Sequence, residues 1–423
     1  MTDFTVKGPI EETVVGTDGE DRLTYKSMSG TGGVTFDPLT PSAVSGYDGA
    51  FRPGDDPEDE YVTSFTGIEH FTFIDNTGGD DIITTGDGAD TLVGRGGRDI
   101  LTGGAGSDIL DGGNKADKLF GGLEGDTLQG GNGNDKLFGE DGHDSLFGED
   151  GNDRIFGAAD NDFIEGGAGD DLIYGGSGDD FIVGDAGDDR LFGGKGADFI
   201  IASQGADVVD AGNGNDQVET AFDAIKTLDG GNGRDMLMAF FDGAATDSLS
   251  FNLRTGNFNS TDANIDGSTA VNFERFSFNG DIDANITGTD GANEIVGGFG
   301  NDRLVGKGGK DVLYGDEGDD TLLGNKKADT LDGGLGDDLL IGGSGTDTFD
   351  FSGGTDTIAD FKDDVDTIRI YARLLEEGTT VADLIDSATV VDGNTVIEID
   401  ADNVLTIEGL GDPSLLSDDL VIL

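Results

Sequence analysis

The chain has 423 residues, no cysteine, and 88 acidic against 24 basic side chains, a formal net charge of −64. That charge excludes nucleic acid as a partner, because phosphate contacts require the opposite sign. The lack of cysteine excludes both a disulfide framework and thiolate chemistry. Self-repulsion on this scale opposes compaction, so a folded state calls for counter-charge from outside the chain.

Residues 1–75 read as an N-terminal β-rich cap. Met1 to Lys7 lacks the apolar run of a secretory signal peptide, and no apolar stretch in the chain is long enough to span a bilayer. Strand-like segments, Val34 to Phe36 and Gly67 to Phe73, lie on either side of an acidic Pro/Gly loop, Arg52 to Glu60. That loop reads either as a solvated loop or as a further ion site.

From Asn76 to Glu219 the chain repeats every nine residues without a slip. Aspartate recurs at Asp81, Asp90, Asp99, Asp108, Asp117, Asp126, Asp135, Asp144, Asp153, Asp162, Asp171, Asp180, Asp189, Asp198, Asp207 and Asp216. An aliphatic residue follows two places later, from Ile83 and Leu92 through Leu137 and Ile155 to Val209 and Val218. The Gly/Asn/Asp stretch suits tight turns, since glycine takes positive φ without steric cost. The three residues around the aliphatic one form a very short strand with that residue inward and its neighbours outward. Two rows, eighteen residues, close one flattened coil with two parallel sheets, each coil rising by ~4.8 Å, so the sixteen rows make a rod of roughly 40 Å. A disordered acidic tract would not need a fixed aliphatic position.

One aliphatic side chain per row is a thin core, so another force has to hold the turns. Stacked bare carboxylates repel, whereas a hard cation between them turns them into ligands, and calcium takes six to eight oxygens from carboxylates and carbonyls alike.

Rows such as Gly103 to Asp111 and Gly130 to Asp135 fit G-G-x-G-x-D-x-U-x, U being aliphatic. This pattern closely resembles the calcium-binding parallel β-roll repeat of RTX (repeats-in-toxin) proteins. The resemblance implies an all-β fold of calcium-bound parallel β-rolls. In it each ion sits between one row and the next but one, held by aspartate oxygens from both and by carbonyls of the first four turn positions. Roughly twenty ions, about fourteen in the first roll and about six in the second, would bring about +40. Lys115, Glu124 and Asp160 replace glycine at the fourth turn position, and Ala202 and Ala211 open the last two rows. Weak or empty sites are expected there.

Residues 220–287 read as a second cap that duplicates the first. Gly230 to Leu237 matches Gly16 to Leu23, and Asn272 to Phe278 matches Gly67 to Phe73. Such caps cover the open ends of solenoids. The second roll, 288–358, carries Asp302, Asp311, Asp320, Asp329, Asp338, Asp347 and Asp356, with Asn293 in its first row and Lys327 as its cationic departure. Residues 359–423 read as a C-terminal module of antiparallel strands around 366–371, 394–399 and 403–407, with a short helix near Val381 to Ile385. The ending Asp418 to Leu423, acidic then apolar, resembles the C-terminal signal of RTX substrates of type I secretion systems, and equally reads as a final strand. The resemblance thus implies a secreted, extracellular protein that folds where calcium is plentiful. Extracellular calcium modules bind with Kd of about 10⁻⁴–10⁻³ M.

The positions flanking the aliphatic residue carry aromatics at an eighteen-residue period. Phe120, Phe138, Phe156, Tyr174 and Phe192 follow it on one sheet; Phe163, Phe181 and Phe199 precede it on the other. Each column reads as an outward ladder. It either stiffens its sheet or is covered by another part of the chain, or else it docks a partner, a second copy of the chain or a cell-surface glycan. RTX rolls often follow a catalytic domain, but none is legible here: His70 and His143 are the only histidines, and there is no H-E-x-x-H or G-x-S-x-G motif. A non-enzymatic role is expected, either a structural or adhesion component of a cell surface, biofilm or surface layer, or a soluble calcium-binding accessory or buffer protein.

Overall fold

The computed structural model describes residues 80–241, 248–260 and 267–423, together with the backbone of strands lying between residues 2 and 74. It divides into two units, Met1–Asp216 and Gln217–Leu423. The acidic stretch 54–60 lies outside the described residues.

In the first unit, successive rows alternate between two sheets, and each strand pairs in parallel with the strand eighteen residues away. Lys118, Leu119 and Phe120 lie opposite Lys136, Leu137 and Phe138, and these in turn lie opposite Arg154, Ile155 and Phe156. On the other sheet Ser145, Leu146 and Phe147 lie opposite Phe163, Ile164 and Glu165. The aliphatic residue of each row is fully buried, from Ile83 through Leu137 and Ile155 to Val218. The period-two alternation of strand side chains therefore places the core along the coil axis, one side chain per strand.

The strands are longer than the three residues expected. Lys118–Leu123 and Thr127–Asn132 span six, because the chain stays paired into the following turn. Pairing breaks after Phe120 opposite Phe138 and resumes with Gly122 opposite Glu140. Gly122 has φ of 129° and Glu140 of 78°. A left-handed residue there kinks each strand toward the next face while keeping its ladder of hydrogen bonds, which is where the turn's backbone groups find partners.

The two caps share a backbone register. Strand Asp21–Lys26 pairs in parallel with His70–Ile74, Leu23 opposite Phe71. In the second unit Met236–Phe241 pairs with Arg275–Gly280, Leu237 opposite Phe276. An antiparallel hairpin follows the first strand of each pair, Val34–Pro41 with Tyr47–Pro53 and Ser248–Asn252 with Asn257–Ser260. In the second unit this hairpin buries Phe251 and Phe258 beside Phe276.

The second roll repeats the eighteen-residue stacking through Leu304, Leu322 and Leu340 on one sheet and Ile295, Leu313, Leu331 and Phe349 on the other. Beyond it, Asn394–Glu398 and Val404–Ile407 are antiparallel neighbours as expected. Strand Thr367–Ile370 is not: it pairs in parallel with Thr348–Phe351 and extends the roll. The N–H of Asp347 donates to Asp366 Oδ1 at 2.9 Å, a spacing of nineteen residues, so one inserted residue hides this row from a strict nine-residue register. Strand Leu420–Ile422 then pairs in parallel with Thr367–Ile370. The helix is Val381–Ser387, capped by Thr380, whose hydroxyl accepts from Asp383 N–H while the Asp383 carboxylate accepts from Thr380 N–H. Among the described residues no helix is long and apolar enough to cross a membrane.

Candidate metal centres

Each row aspartate turns its carboxyl into the coil. All of the expected ligands, Asp81 to Asp216 in the first roll and Asp302 to Asp356 in the second, are at most 3% exposed. They form two columns per roll, one on each side. In one column the N–H of Asp117 donates to Asp135 Oδ1, that of Asp135 to Asp153 and that of Asp153 to Asp171, each at 2.7 Å. In the other, Asp126 donates to Asp144 at 2.7 Å and Asp144 to Asp162 at 2.9 Å. The second roll repeats this with Asp302 to Asp320 at 2.6 Å and Asp320 to Asp338 at 2.8 Å. The aspartates two rows apart are thus brought together as the repeat requires.

In the middle of each column only one oxygen of the carboxylate is satisfied. Oδ2 of Asp108, Asp126, Asp144 and Asp162, and of Asp117, Asp135, Asp153 and Asp171, is buried without a hydrogen-bond donor. A buried anionic oxygen with no partner is costly, and the carboxyls respond by holding their protons. Burial is the largest cause. Hydrogen bonding to the preceding aspartate's N–H works against it, and neighbouring carboxylates add to it. Asp108, Asp117, Asp162 and Asp171 are pushed up to about 8, and Asp126, Asp153 and Asp198 to about 7. At the end of the second roll Asp356 lies beside Asp338, and burial with that neighbour pushes its carboxyl up strongly.

Many of the turn glycines have no room for a side chain. At the first turn position a Cβ on Gly139 would stand 2.2 Å from Asp144 Oδ2, and one on Gly157 would stand 2.2 Å from Asp162 Oδ2. At the second position a Cβ on Gly122 would meet the Gly104 carbonyl oxygen at 1.9 Å. Carboxylate oxygens and turn carbonyls therefore crowd the same side of each turn. Lys115, Glu124, Asp160 and Lys327 keep the turn's left-handed backbone, with φ of 75°, 69°, 69° and 75°. Those rows differ from the rest in charge and strain rather than in turn shape.

An oxygen-only donor set of buried, donorless carboxylates beside stacked carbonyls fits calcium, which binds hard oxygen ligands in flexible geometry. Among the described residues no three acidic or histidine side chains form a metal cage of their own. An ion held here must therefore combine a pair of aspartates with backbone carbonyls. It would supply the positive charge that lets both oxygens ionise inside the coil. Asp366, 1% exposed, belongs to the same column system and was not legible in the register.

The family described as the RTX calcium-binding nonapeptide repeat (four copies) matches residues 75–110, 111–146, 120–155, 147–182, 183–218, 287–322 and 323–358, just over half of the chain. The chain belongs to the RTX calcium-binding repeat family. It is a calcium-binding β-roll protein. Similar solved structures include the extracellular lipase LipA from Serratia marcescens, at 18% identity and a TM-score of 0.25, over 65% of this chain and 40% of that one. Another is the AlgE6R3 subunit of the Azotobacter vinelandii mannuronan C5-epimerase, at 31% identity and a TM-score of 0.22, over 33% of this chain and 78% of that one. This RTX chain thus spans well under half of the lipase, and superpositions this weak carry no argument about its arrangement. No curated protein matched it.

The aromatic columns form as the spacing requires. Phe120, Phe138, Phe156, Tyr174 and Phe192 stack with ring centroids 4.6–5.2 Å apart and planes within 10°. Phe163, Phe181 and Phe199 stack at 5.3 and 5.2 Å on the other sheet, and Phe147 packs tilted against Phe163. Stacking consumes the ring faces, so within each column mainly ring edges meet solvent. Tyr174 and Phe163 are the most exposed, at 36% and 38%.

Proposed function

We infer that this RTX protein is secreted, folds on meeting extracellular calcium, and serves as a structural or adhesion component of a bacterial cell surface, biofilm or surface layer, with no catalytic site of its own. The observation that carries the reading is the pair of buried carboxylate columns in each roll. Without metal, each of these buried carboxyls must either retain a proton or carry an unpaired charge inside the coil, both at a cost, and a chain of net charge −64 has little else to hold it compact. Export through a type I system, as the family resemblance suggests, suits a chain that stays unfolded until calcium is available. A single site at 100 times its Kd contributes about 2.7 kcal/mol, so a few occupied sites are comparable to the whole marginal stability of a typical domain.

A soluble calcium-binding accessory or buffer protein is the second reading. It is favoured by the stacked ladders, whose ring faces are spent on each other rather than on a partner. Calcium titration followed together by circular dichroism and light scattering separates the two. Folding with growth in scattering supports the surface component, and folding to a monomer that stays monomeric at high concentration supports the buffer. A chain that holds the same β content in chelator as in calcium overturns both.

A further inference from the structure

The outer face of the second roll buries two carboxylates that the strand pattern would leave in water. On the strands whose inward residues are Ile295, Leu313, Leu331, Phe349 and Ile368, the next residue points outward. These outward residues form the column Val296, Tyr314, Asp332, Asp350 and Arg369. Asp350 is buried, and the Arg369 guanidinium answers it by donating to both of its oxygens at 2.5 Å. Asp332, only 8% exposed, has no such answer. The Ser352 hydroxyl donates to its Oδ1 at 2.7 Å, and among the described residues no other donor reaches the carboxyl and no cation pairs with it. Arg373 is engaged elsewhere: it donates to the Ser352 carbonyl oxygen at 3.0 Å and lies over the Tyr371 ring, 4.8 Å from its centroid. Burial, opposed by the Ser352 hydrogen bond, pushes the Asp332 carboxyl up to about 6. Asp332 lines a cavity of about 500 Å³, to which its Oδ2 remains open. One wall of that cavity is apolar: Phe299 and Leu335 flank Glu317 in the neighbouring column and are both exposed.

We propose that this cavity binds a small organic amine, its protonated nitrogen on Asp332 Oδ2 and a compact apolar or aromatic body against Phe299 and Leu335. The sign of the ligand follows from the lining, which sets the carboxylates of Asp316, Glu317 and Asp332 against the single guanidinium of Arg373. A bare metal ion does not suit it, because among the described residues no three acidic side chains converge on one point. An ammonium brings the donor that Oδ2 lacks, and a hydrogen bond between two charged groups is stronger than a neutral one. The exposed Phe299 ring adds attraction for a cation. Apolar walls around a few convergent polar groups, in a volume between about 300 and 1,000 Å³, are the usual form of a small-molecule site. A basic patch on a folded protein would meet the rim acids without reaching a carboxyl this deeply buried.

The test is isothermal titration of the full chain, folded in calcium, with 2-phenylethylamine. Its neutral counterpart 2-phenylethanol and its acidic counterpart phenylacetate serve as comparisons. The expected result is saturable binding of one amine per chain, with the alcohol and the acid at least about tenfold weaker. Asp332→Asn keeps an oxygen for the Ser352 hydroxyl and removes the charge; it should weaken amine binding about tenfold or more. Glu398→Gln removes one charge from an exposed site outside the cavity and should leave the affinity unchanged. Raising calcium tenfold should leave it unchanged as well. Circular dichroism in calcium confirms that each variant is folded, and the comparison of amine with alcohol needs no variant at all. The proposal is overturned by an alcohol that binds as tightly as the amine, by equal affinity in the Asp332→Asn protein, or by an equal loss in Glu398→Gln, which would mark diffuse attraction to an acidic chain. Competition by calcium would put a metal ion in the cavity and overturn it too, as would the absence of any amine binding.

Discussion

Asp153→Asn separates the two roles of a row aspartate. Asp153 Oδ1 accepts from Asp135 N–H at 2.7 Å, and an Asn Oδ1 can accept the same bond. Lost are the charge and the second, donorless oxygen. If each ion sits between one row and the next but one, as the family pattern implies, Asp153 would help hold two ions in its column, and two sites would weaken. At about 2.7 kcal/mol per site held at 100 times its Kd, the folded roll should lose roughly 3–5 kcal/mol. Without metal the sign reverses. Burial raises the Asp153 carboxyl from 3.8 to about 7, and each unit is worth ~1.4 kcal/mol, so at pH 8 the neutral amide removes a cost of a few kcal/mol. Guanidinium denaturation in saturating calcium reads the first effect, and residual β signal in chelator at pH 8 reads the second. Equal stability of the two proteins in calcium, or a variant destabilised to the same extent with and without metal, would refute the reasoning.

Other outcomes follow from the same geometry. The raised carboxyls of Asp108, Asp117, Asp162 and Asp171, at about 8 against 3.8, contribute stability to the metal-free roll that is fully present below about pH 4 and lost as pH rises through about 8. In chelator, β structure by circular dichroism should therefore be greater at pH 4.5 than at pH 8. Calcium affinity should run the other way and fall with acid, because protons compete for the same oxygens. Gly139→Ala places a methyl 2.2 Å from Asp144 Oδ2 and should cost about 1–3 kcal/mol in calcium, read as a lower denaturation midpoint. Lys115→Gly relieves a left-handed lysine, φ 75°, and removes a cation near the column; it should stabilise the roll by up to about 1 kcal/mol and lower the calcium midpoint of folding. Replacing Phe138, Phe156 and Tyr174 together by Ser should cost ~0.5–1.5 kcal/mol per broken ring pair. Unchanged self-association and surface binding in that variant would assign the ladder to stiffness alone.

The nine-residue register made the core and the aspartate columns legible without coordinates. A buried position every nine residues and a coil of two rows leave one way to stack, so Leu137 over Leu119 and Asp153 over Asp135 follow from spacing alone. Register also misled where it slipped. Asp366 stands nineteen residues from Asp347, and the strand that follows it read as part of an antiparallel module because alternation does not reveal a partner's direction. Strand length was misjudged at Gly122 and its counterparts: glycine reads as a turn residue, and only the neighbouring coil, pairing with it, draws it into the sheet.

Sequence alone determined the period, the sign of the charges along the columns, and which side chains of the strict nine-residue rows share a column, because each is a property of spacing along one chain. Tertiary structure decided what those columns present. It left one carboxylate oxygen of Asp126, Asp135, Asp144 and Asp153 without a donor, turned the ring faces of Phe120 to Phe192 onto one another, and set Lys118, Lys136 and Arg154 side by side across neighbouring strands. Those outcomes depend on distances between coils, which exist only once the chain has closed on itself.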